Sequence, residues 1–352
     1  MADATMKAWR VHEYGQPLDV LQLDEVPVPE PEASEARVRV HAIPLNLNDL
    51  ERITGANMMV RPELPYAPGM EVMGIVEACG EGAEAWEGKR VVATTKQAFG
   101  GYAEAAICPV ISMFEMPDDI PLPDAAALYF PFHLAWLGLF DRAALQPGET
   151  VLIHAAAGGS GSAAVQLAKN ADARVFATAG TDEKVQLCRD LGADVAINYN
   201  DDDFGAVVME ETDNRGVDVV FDNVGASVFE QSLKVTAYDG RYLMMGFASD
   251  KSKVDEPFVV PRSIAAGNLK LCGVLLSYAE PGVATFVKQA MGFNFVGREV
   301  GERITAEVID LVRAGKVRPV IGQVVGFSDV PKGIDDLANR RTTGRVVIQL
   351  AD

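Results

Sequence analysis

The residues best suited to chemistry form a run of small side chains from Ala155 to Gly161. An apolar, strand-like stretch at 150–154 precedes the run, and a helix-like stretch at 162–170 follows it. A turn without bulky side chains lets the backbone approach a pyrophosphate, and the following helix N-terminus offers free N–H groups and a partial positive charge. The sequence therefore predicts a dinucleotide-binding turn. Its contacts are expected from Ala157, Gly158, Gly159, Ser160 and Gly161.

The glycine pattern alone is weak evidence, because Ala156 stands where Gly-x-Gly-x-x-Gly has its first glycine. The strand–turn–helix context and a second strand-like run at 174–178 strengthen the prediction. Ala179 falls at the tip of that second strand, where an NAD-preferring site carries Asp or Glu for the ribose hydroxyl. Without that carboxylate, Thr181 and Lys184 could bind a 2′-phosphate, which favours NADPH. The alternative is that Lys184 is simply a solvated lysine in the first turn of a helix.

The order of the elements predicts an α/β protein with two kinds of domain. Up to about residue 120, short β-like runs alternate with Gly and Pro, which favours a small, curved β domain. Apolar strands then alternate with helices, as in a doubly wound parallel Rossmann sheet. Runs at 317–326 and 345–350 resemble the first domain and are expected to complete it. The other predicted strands are 36–42, 74–78, 90–94, 102–108, 195–198, 217–222, 242–246 and 268–276, and the other helices are 182–191 and 304–314.

Composition narrows the classes of function. The formal net charge of −19 repels nucleic acids and anionic membranes, so neither is an expected partner. No apolar run is long enough to span a bilayer, and the first residues do not resemble a signal segment. The four cysteines are far apart and form no Cys-x-x-Cys pair. Reduced thiols and a cytoplasmic location are therefore expected.

Several motifs together resemble those of the zinc-independent quinone oxidoreductases of the medium-chain dehydrogenase/reductase superfamily. The motifs are the runs 155–169 and 216–225, Leu191-Gly192-Ala193-Asp194, Ile197-Asn198-Tyr199, Pro44-Leu45-Asn46-Leu47-Asn48-Asp49, Pro68-Gly69-Met70-Glu71, Gly88-Lys89-Arg90-Val91 and Arg340-Arg341-Thr342-Thr343-Gly344-Arg345. The resemblance spans almost the whole chain. It implies a GroES-like catalytic domain at 1–127 and 300–352, a Rossmann domain at 128–299, and an active site in the cleft between them. It also implies a homodimer formed through the edge strand 268–276.

The resemblance also assigns further cofactor residues. It implies that Gly180, Lys184, Tyr199 and Arg340 hold the 2′-phosphate of the adenosine. Residues that would line the path toward the nicotinamide are Asn223, Gly246 and Phe247. The alternative for Tyr199 is an aromatic residue of the core.

Zinc alcohol dehydrogenases of the same superfamily place a Cys near Asn46 and a His at Met70. A thioether and an amide cannot replace a thiolate and an imidazole as zinc ligands, so no metal is expected. Without a Lewis acid, hydride addition to a quinone or to the C=C bond of an α,β-unsaturated carbonyl is favoured, because the acceptor itself spreads the charge. Two alternatives remain: a zinc-type alcohol dehydrogenase, which is disfavoured, and a catalytically silent, NADPH-binding structural or regulatory protein.

The candidates for catalysis are polar side chains of the first domain and one histidine beyond it. The amides of Asn46 and Asn48 could donate to an oxyanion, although turn formation would also explain them. Asp49 matches a family position near the ribose and nicotinamide, by resemblance only. Tyr66 could donate a proton, as could Tyr129, although packing is the simpler interpretation. For His133, a satisfied core histidine is likewise the simpler interpretation.

The sequence departs from the family's pattern at two places. The enoyl-thioester reductase branch has a Tyr shortly after the glycine at Gly55, and here that stretch contains Asn57 instead. Reduction of that type is therefore disfavoured. The segment 278–302 is longer than the family's usual connection and contains Phe286 and Phe293. Core or dimer packing and a cover over the substrate are the two interpretations of it.

Overall fold

The computed structural model of the protein describes residues 4–56, 61–245 and 261–350. The chain divides into two compact units. The first comprises Met1–Tyr129, Ser277–Ala306 and Ile321–Asp352, and the second comprises Phe130–Leu276 and Glu307–Val320. The first boundary lies within two residues of the expected one at 127/128, whereas 277–299 groups with the first unit rather than with the Rossmann unit.

Fifteen strands lie within the described residues. They are β1 (Thr5–Val11), β2 (Leu21–Pro27), β3 (Glu35–Pro44), β4 (Glu71–Cys79), β5 (Arg90–Thr94), β6 (Ala105–Pro109), β7 (Met113–Glu115), β8 (Thr150–Ile153), β9 (Arg174–Ala179), β10 (Val195–Asn198), β11 (Val217–Asp222), β12 (Thr236–Met244), β13 (Lys270–Gly273), β14 (Ile321–Gly326) and β15 (Arg345–Gln349).

Twelve α-helices accompany them within the same described ranges. They are α1 (Pro17–Val20), α2 (Leu47–Thr54), α3 (Asp124–Ala127), α4 (Tyr129–Trp136), α5 (Gly159–Asn170), α6 (Asp182–Asp190), α7 (Phe204–Glu211), α8 (Ala226–Lys234), α9 (Pro261–Gly267), α10 (Pro281–Met291), α11 (Arg298–Arg313) and α12 (Val330–Ala338). Short 3₁₀ turns occur at Glu84–Trp86, Lys96–Ala98, Val110–Ser112 and Phe327–Asp329, and a π-helical turn occurs at Leu137–Arg142. No helix of the described ranges has both the length and the apolarity needed to cross a membrane.

The first unit is built on a largely antiparallel sheet in the order β14-β15-β3-β4-β5-β7, with β6 also paired to β3. Strand β3 shows why the chain is extended here: Val38 and Val40 are buried while Arg39 between them is exposed, which is the two-residue period of a strand with one buried face. The C-terminal strand β15 pairs antiparallel with β3. The end of the chain therefore completes the sheet of the first unit, as the sequence predicts.

The second unit contains a six-stranded parallel sheet in the order β10-β9-β8-β11-β12-β13. All residues of β8 and β11 are buried, as expected for strands covered by helices on both faces. The order confirms the predicted doubly wound Rossmann sheet. The change in winding direction falls between β8 and β11.

Two predicted strand boundaries in the Rossmann sheet are wrong. Strand β12 starts at Thr236 rather than at 242, and β13 covers Lys270–Gly273 rather than 268–276. The first half of β12 contains Asp239 and Gly240, which interrupt the apolar pattern. Thr236 pairs with Val217 and Arg241 pairs with Val219, so the residues between Thr236 and Arg241 form an irregularity in the strand, with Asp239 at a positive φ of 62°.

The segment 277–306 joins the first unit through aromatic contacts. The rings of Phe114 and Tyr278 lie 5.2 Å apart, edge to face. A Cβ on Gly301 would lie 2.3 Å from the Phe114 ring, so this helix packs directly on it. Farther along the segment, Phe286 on α10 is 68% exposed and is not a core residue.

A buried ion pair ties β15 to the start of β4. Nη2 of Arg345 lies 2.5 Å from Oε2 of Glu71, and Nη1 donates to Oδ1 of Asn46 at 3.0 Å. Glu71 is fully buried and Arg345 is only 6% exposed. Breaking such a pair leaves a charge in a low-dielectric interior, which costs far more than the loss of a surface bridge.

We expect Arg345→Met to lower the free energy of unfolding by about 3–5 kcal/mol, because the buried Glu71 carboxylate then lacks the positive charge that offsets its own. Adding Glu71→Gln should recover part of the lost free energy of unfolding, because it removes the buried negative charge that Arg345 no longer offsets. The control is Arg39→Met, an exposed arginine on β3, with an expected change within about 0.5 kcal/mol. Urea denaturation measures all three variants, and equal midpoints for Arg345→Met and Arg39→Met would contradict the assigned role.

Candidate functional site

The glycine turn connects β8 to α5 through an unusually close backbone contact. Ala155 adopts a positive φ of 52°, and the N–H of Gly158 donates to its carbonyl at 3.0 Å. A Cβ on Gly161 would lie 2.2 Å from the oxygen of Ala155 and 2.7 Å from Cα of Ala156. Only glycine fits there, so the first turn of α5 rests directly on the preceding turn.

The five residues expected to contact the pyrophosphate are brought together by this geometry. Ala157 and Gly158 lie in the turn, and Gly159, Ser160 and Gly161 form the first turn of α5. Their N–H groups lie at the helix N-terminus, where intrahelical acceptors are missing and the helix dipole is positive. This arrangement can bind an anion without any positively charged side chain.

His154, which precedes the turn, is a structural anchor that the sequence did not reveal. Its ring nitrogens hydrogen-bond to Oγ1 of Thr178 at 3.0 Å and to Oγ of Ser232 at 2.8 Å. Burial lowers the pKa of His154 to about 3, so the imidazole is neutral at physiological pH. It links β8 to β9 and α8 and so holds the start of the turn. The only signal for it in the sequence was a polar residue ending an apolar strand.

The tip of β9 gathers most of the residues expected at the 2′-phosphate. Strand β9 ends at Ala179, as predicted, and Oγ1 of Thr181 caps α6 by accepting the N–H of Lys184 at 3.3 Å. A Cβ on Gly180 would lie 2.4 Å from Oη of Tyr199, so the phenol ring covers this glycine. Tyr199 is 49% exposed and is not a core residue.

Of the remaining predicted cofactor residues, Arg340 and Asn223 are described by the structure and the other two are not. Arg340 belongs to the first unit, at a positive φ of 57° after α12. Asn223 follows β11, and its Nδ2 is buried without a hydrogen-bond partner among the described residues. Gly246 and Phe247 lie outside the described residues, as does Asn57.

Asp49 is the centre of a buried hydrogen-bond cluster in the first unit. Its carboxylate accepts the N–H of Met70 at 2.9 Å, the N–H of Asn46 at 3.1 Å and the hydroxyl of Tyr102 at 3.2 Å. Burial raises the pKa of Asp49 to about 6, and the Arg52 guanidinium 4.0 Å away opposes that shift. The cluster ties the start of α2 to the segment before β4.

The two candidate amides, those of Asn46 and Asn48, differ in whether a hydrogen remains that could be donated to a ligand. Nδ2 of Asn46 donates to the carbonyl of Pro44 at 3.1 Å and to Glu71 at 3.2 Å. Both of its hydrogens are therefore used within the protein, and this geometry does not support Asn46 as an oxyanion donor. Nδ2 of Asn48 lies 3.6 Å from Sδ of Met70 and has one hydrogen without an acceptor among the described residues.

The candidate proton carriers are all buried. Burial raises the pKa of Tyr66, so the phenol stays protonated, and its hydroxyl has no hydrogen-bond partner within the described ranges. The hydroxyl of Tyr129 pairs with Oγ1 of Thr94 at 2.9 Å. Burial lowers the pKa of His133 to about 3, so its ring is neutral. A neutral imidazole of such low basicity fits a core position better than that of a general base.

The side chains around Asn46 and Met70 are poor ligands for a metal ion. The described part of the chain has no group of three His, Cys, Asp or Glu side chains placed to hold one. Met70 contributes a thioether that is only 5% exposed, and the oxygen of Asn46 already accepts from Arg345. The close contact of Gly161 with the backbone of Ala155, called the cradle below, would suit the pyrophosphate of a dinucleotide. The buried Nδ2 of Asn223, which has no partner among the described residues, would suit an oxygen of the same ligand.

The chain is similar to known dehydrogenases and quinone oxidoreductases over most of its length. Residues 32–118 match the family of alcohol dehydrogenase GroES-like domains, and residues 159–293 match the family of zinc-binding dehydrogenases. Quinone oxidoreductase-like protein 2 of Bos taurus is 32% identical over 94% of this chain and 89% of its own length. The quinone oxidoreductase of Homo sapiens is 29% identical over 98% of both proteins.

Solved structures agree with these relatives. A mycobacterial protein solved in complex with NADPH is 32% identical, with a TM-score of 0.83 over 98% of this chain and 99% of the other. A quinone oxidoreductase of Pseudomonas syringae is 28% identical, with the same TM-score and the same shares of both chains.

The raised pKa of Asp49 predicts a specific pH dependence. The folded state holds the proton between pH 3.8 and about 6, so this carboxyl stabilises the fold at low pH, and the effect is lost as the pH rises through 6. The free energy of unfolding of the wild type relative to Asp49→Asn should therefore be roughly 1.3 kcal/mol larger at pH 5 than at pH 7, so the wild type is relatively more stable at pH 5. Denaturant titrations at both values measure it, with the exposed Asp19→Asn as the control. A difference that is constant or that grows with pH would contradict the assignment.

Proposed function

Because this chain belongs to the quinone oxidoreductase-like family of medium-chain dehydrogenases/reductases, we propose that it is an NADPH-dependent oxidoreductase that reduces quinones or the C=C bond of α,β-unsaturated carbonyl compounds. The observation that carries the proposal is the cradle at Gly161, where the backbone leaves room only for glycine. The bound nicotinamide would supply the hydride for the acceptor.

The residues of the Rossmann unit would hold the cofactor in three places. The N–H groups of Ala157, Gly159, Ser160 and Gly161 would bind the pyrophosphate, and Gly158, whose N–H donates to Ala155, would let the backbone approach it. Around the tip of β9, Gly180, Thr181, Lys184 and Tyr199 would hold the 2′-phosphate. After β11, the open amide of Asn223 would donate to an oxygen of the nicotinamide half.

We propose that reduction needs no metal ion in this protein. The first reason is the donor set: the thioether of Met70 and the amide of Asn46 stand where zinc relatives have His and Cys. The second is the acceptor, because quinones and enones delocalise the developing charge onto an oxygen. That oxygen then needs only hydrogen-bond donors. Among the catalytic candidates, the hydroxyl of Tyr66 and one amide hydrogen of Asn48 have no acceptor within the described part of the chain.

Dimerisation and location are proposed on separate grounds. β13 is the last strand of the parallel sheet, and Leu275 just beyond it is 45% exposed. An exposed apolar sheet edge favours pairing with a second copy, which supports a homodimer. All four cysteines are free thiols, which supports a reducing, cytoplasmic setting.

The proposal is tested by NADPH binding and by turnover with benzoquinones, naphthoquinones and linear enones, together with metal analysis of the purified protein. We expect metal-free turnover with at least one acceptor. Tight binding without any turnover would instead favour a structural or regulatory NADPH-binding protein. A stoichiometric, activity-supporting zinc ion would favour an alcohol dehydrogenase.

Gly161→Ala is the matching variant for the cofactor cradle. Its Cβ would lie 2.2 Å from the oxygen of Ala155, so the turn and α5 must move apart and the pyrophosphate loses aligned N–H donors. We expect the Kd for NADPH to rise by about 100-fold or more, since several such donors are lost at once. Gly282→Ala, where a Cβ meets nothing within 4 Å, is the control. An equal Kd for NADPH in the two variants would contradict the assignment of Gly161 to the cofactor site.

Lys184→Ala tests the choice between NADPH and NADH. Loss of one charge-assisted contact to the 2′-phosphate should raise the Kd for NADPH about tenfold or more, and leave NADH within about twofold. Lys234→Ala, a 70% exposed lysine on α8, is the control. A similar loss of both cofactors would mean that Lys184 does not recognise the 2′-phosphate.

A further inference from the structure

The turn after β11 lies directly beside the glycine turn. Strands β8 and β11 are neighbours, with Ile153 opposite Phe221, and the N–H of His154 donates to the carbonyl of Phe221 at 3.0 Å. The chain leaves β8 toward β9 but leaves β11 toward β12. Ligands of doubly wound sheets bind at this switch point, outside the carboxyl ends of the strands.

A buried carboxylate shapes the turn. Oδ1 of Asp222 accepts the N–H groups of Val224 at 2.7 Å and Gly225 at 2.9 Å, an Asx-type turn that ends at a positive φ of 89°. Oδ2 accepts the hydroxyl of Tyr242 at 2.5 Å. Asp222 is 1% exposed and Tyr242 is fully buried, so water does not compete for these bonds.

Tyr242 fixes the carboxylate from the neighbouring strand. It lies on β12 opposite Val220 of β11, and its ring packs edge to face on Phe229 at 5.1 Å. Burial and the nearby carboxylate raise the pKa of Tyr242, so the hydroxyl always carries its proton. Its single hydrogen bond therefore points one way, from the tyrosine to Asp222.

Asn223 lies within this turn, between Asp222 and Val224, whose N–H the carboxylate accepts. Its Nδ2 is buried and has no acceptor among the described residues. An amide donor left in this state costs free energy in the protein alone, and the cost is removed when a ligand supplies an oxygen. The turn thus presents one unsatisfied donor at the switch point of the sheet.

We propose that Tyr242 and Asp222 are positioning residues that hold the Asn223 amide in place for the nicotinamide half of the dinucleotide. The inference rests on the proposed binding of NADPH and adds the two residues that act through Asn223. Neither touches the cofactor. Their role is to fix the turn, so their loss should weaken only the contacts that Asn223 makes.

Tyr242→Phe tests this directly, because it removes one hydroxyl and keeps the packed ring. We expect the Kd for NADPH to rise about fivefold to tenfold, as for one lost hydrogen bond to a ligand. The Kd for 2′-phospho-ADP-ribose, which lacks the nicotinamide, should stay within about twofold of the wild type. Tyr238→Phe, on the same strand but 79% exposed, is the control and should change neither value.

A double-mutant cycle separates positioning from general damage to the sheet. In an Asn223→Ala background, Tyr242→Phe should have no further effect on NADPH binding, since the residue it acts through is gone. Asp222→Asn is the second variant, with the same selective loss expected if Tyr242→Phe does not fold. Equal weakening of NADPH and the fragment, additive effects in the cycle, or no change at all would overturn the inference.

The same titrations separate this inference from the proposed function. A wild-type protein that binds neither NADPH nor 2′-phospho-ADP-ribose contradicts both. A wild-type protein that binds both ligands, with a Tyr242→Phe variant that binds them equally well, contradicts only the role of Tyr242 and Asp222.

Discussion

The contact between Gly161 and the backbone of Ala155 sets the geometry of the nucleotide-binding unit. Because α5 begins directly on the turn, the helix N-terminus has a fixed position relative to β8. Strand β8 lies between β9 and β11 in the sheet. The tip of β9 and the turn after β11 therefore have fixed places relative to the same helix end. A side chain at residue 161 would separate the helix from the turn and disturb all three.

Hydrogen bonds of buried polar residues hold the turns next to these elements in place. His154 joins two strands and a helix next to the glycine turn, and Asp222 shapes the turn beside it. Asp49 has the same role in the other unit, where it binds two backbone N–H groups and a phenol. In a water-excluded interior each such bond is strong, and a missing partner is costly. The partners of these three residues lie within the protein, and the hydrogen bonds hold neighbouring segments of the chain together.

The side chains left with unused polar atoms are therefore the better candidates for function. Asn46 uses all of its amide atoms, whereas Asn48, Tyr66 and Asn223 each retain an unused donor among the described residues. Folding leaves buried donors unpaired only rarely. Their presence in a family of oxidoreductases is consistent with a ligand that brings oxygen atoms of its own.

The sequence alone determined the fold class, the return of the C-terminal strands and the position of the glycine turn. It could do so because these features follow from local patterns: apolar strands, a missing side chain at Gly161 and the helix that follows. The end of β9 at Ala179 was predicted in the same way. The tertiary structure alone decided which polar residues are free. The partners of Asn46 and Asp222 come from distant parts of the chain, such as Arg345 and Tyr242, and hydrophobic periodicity carries no information about contacts of that range.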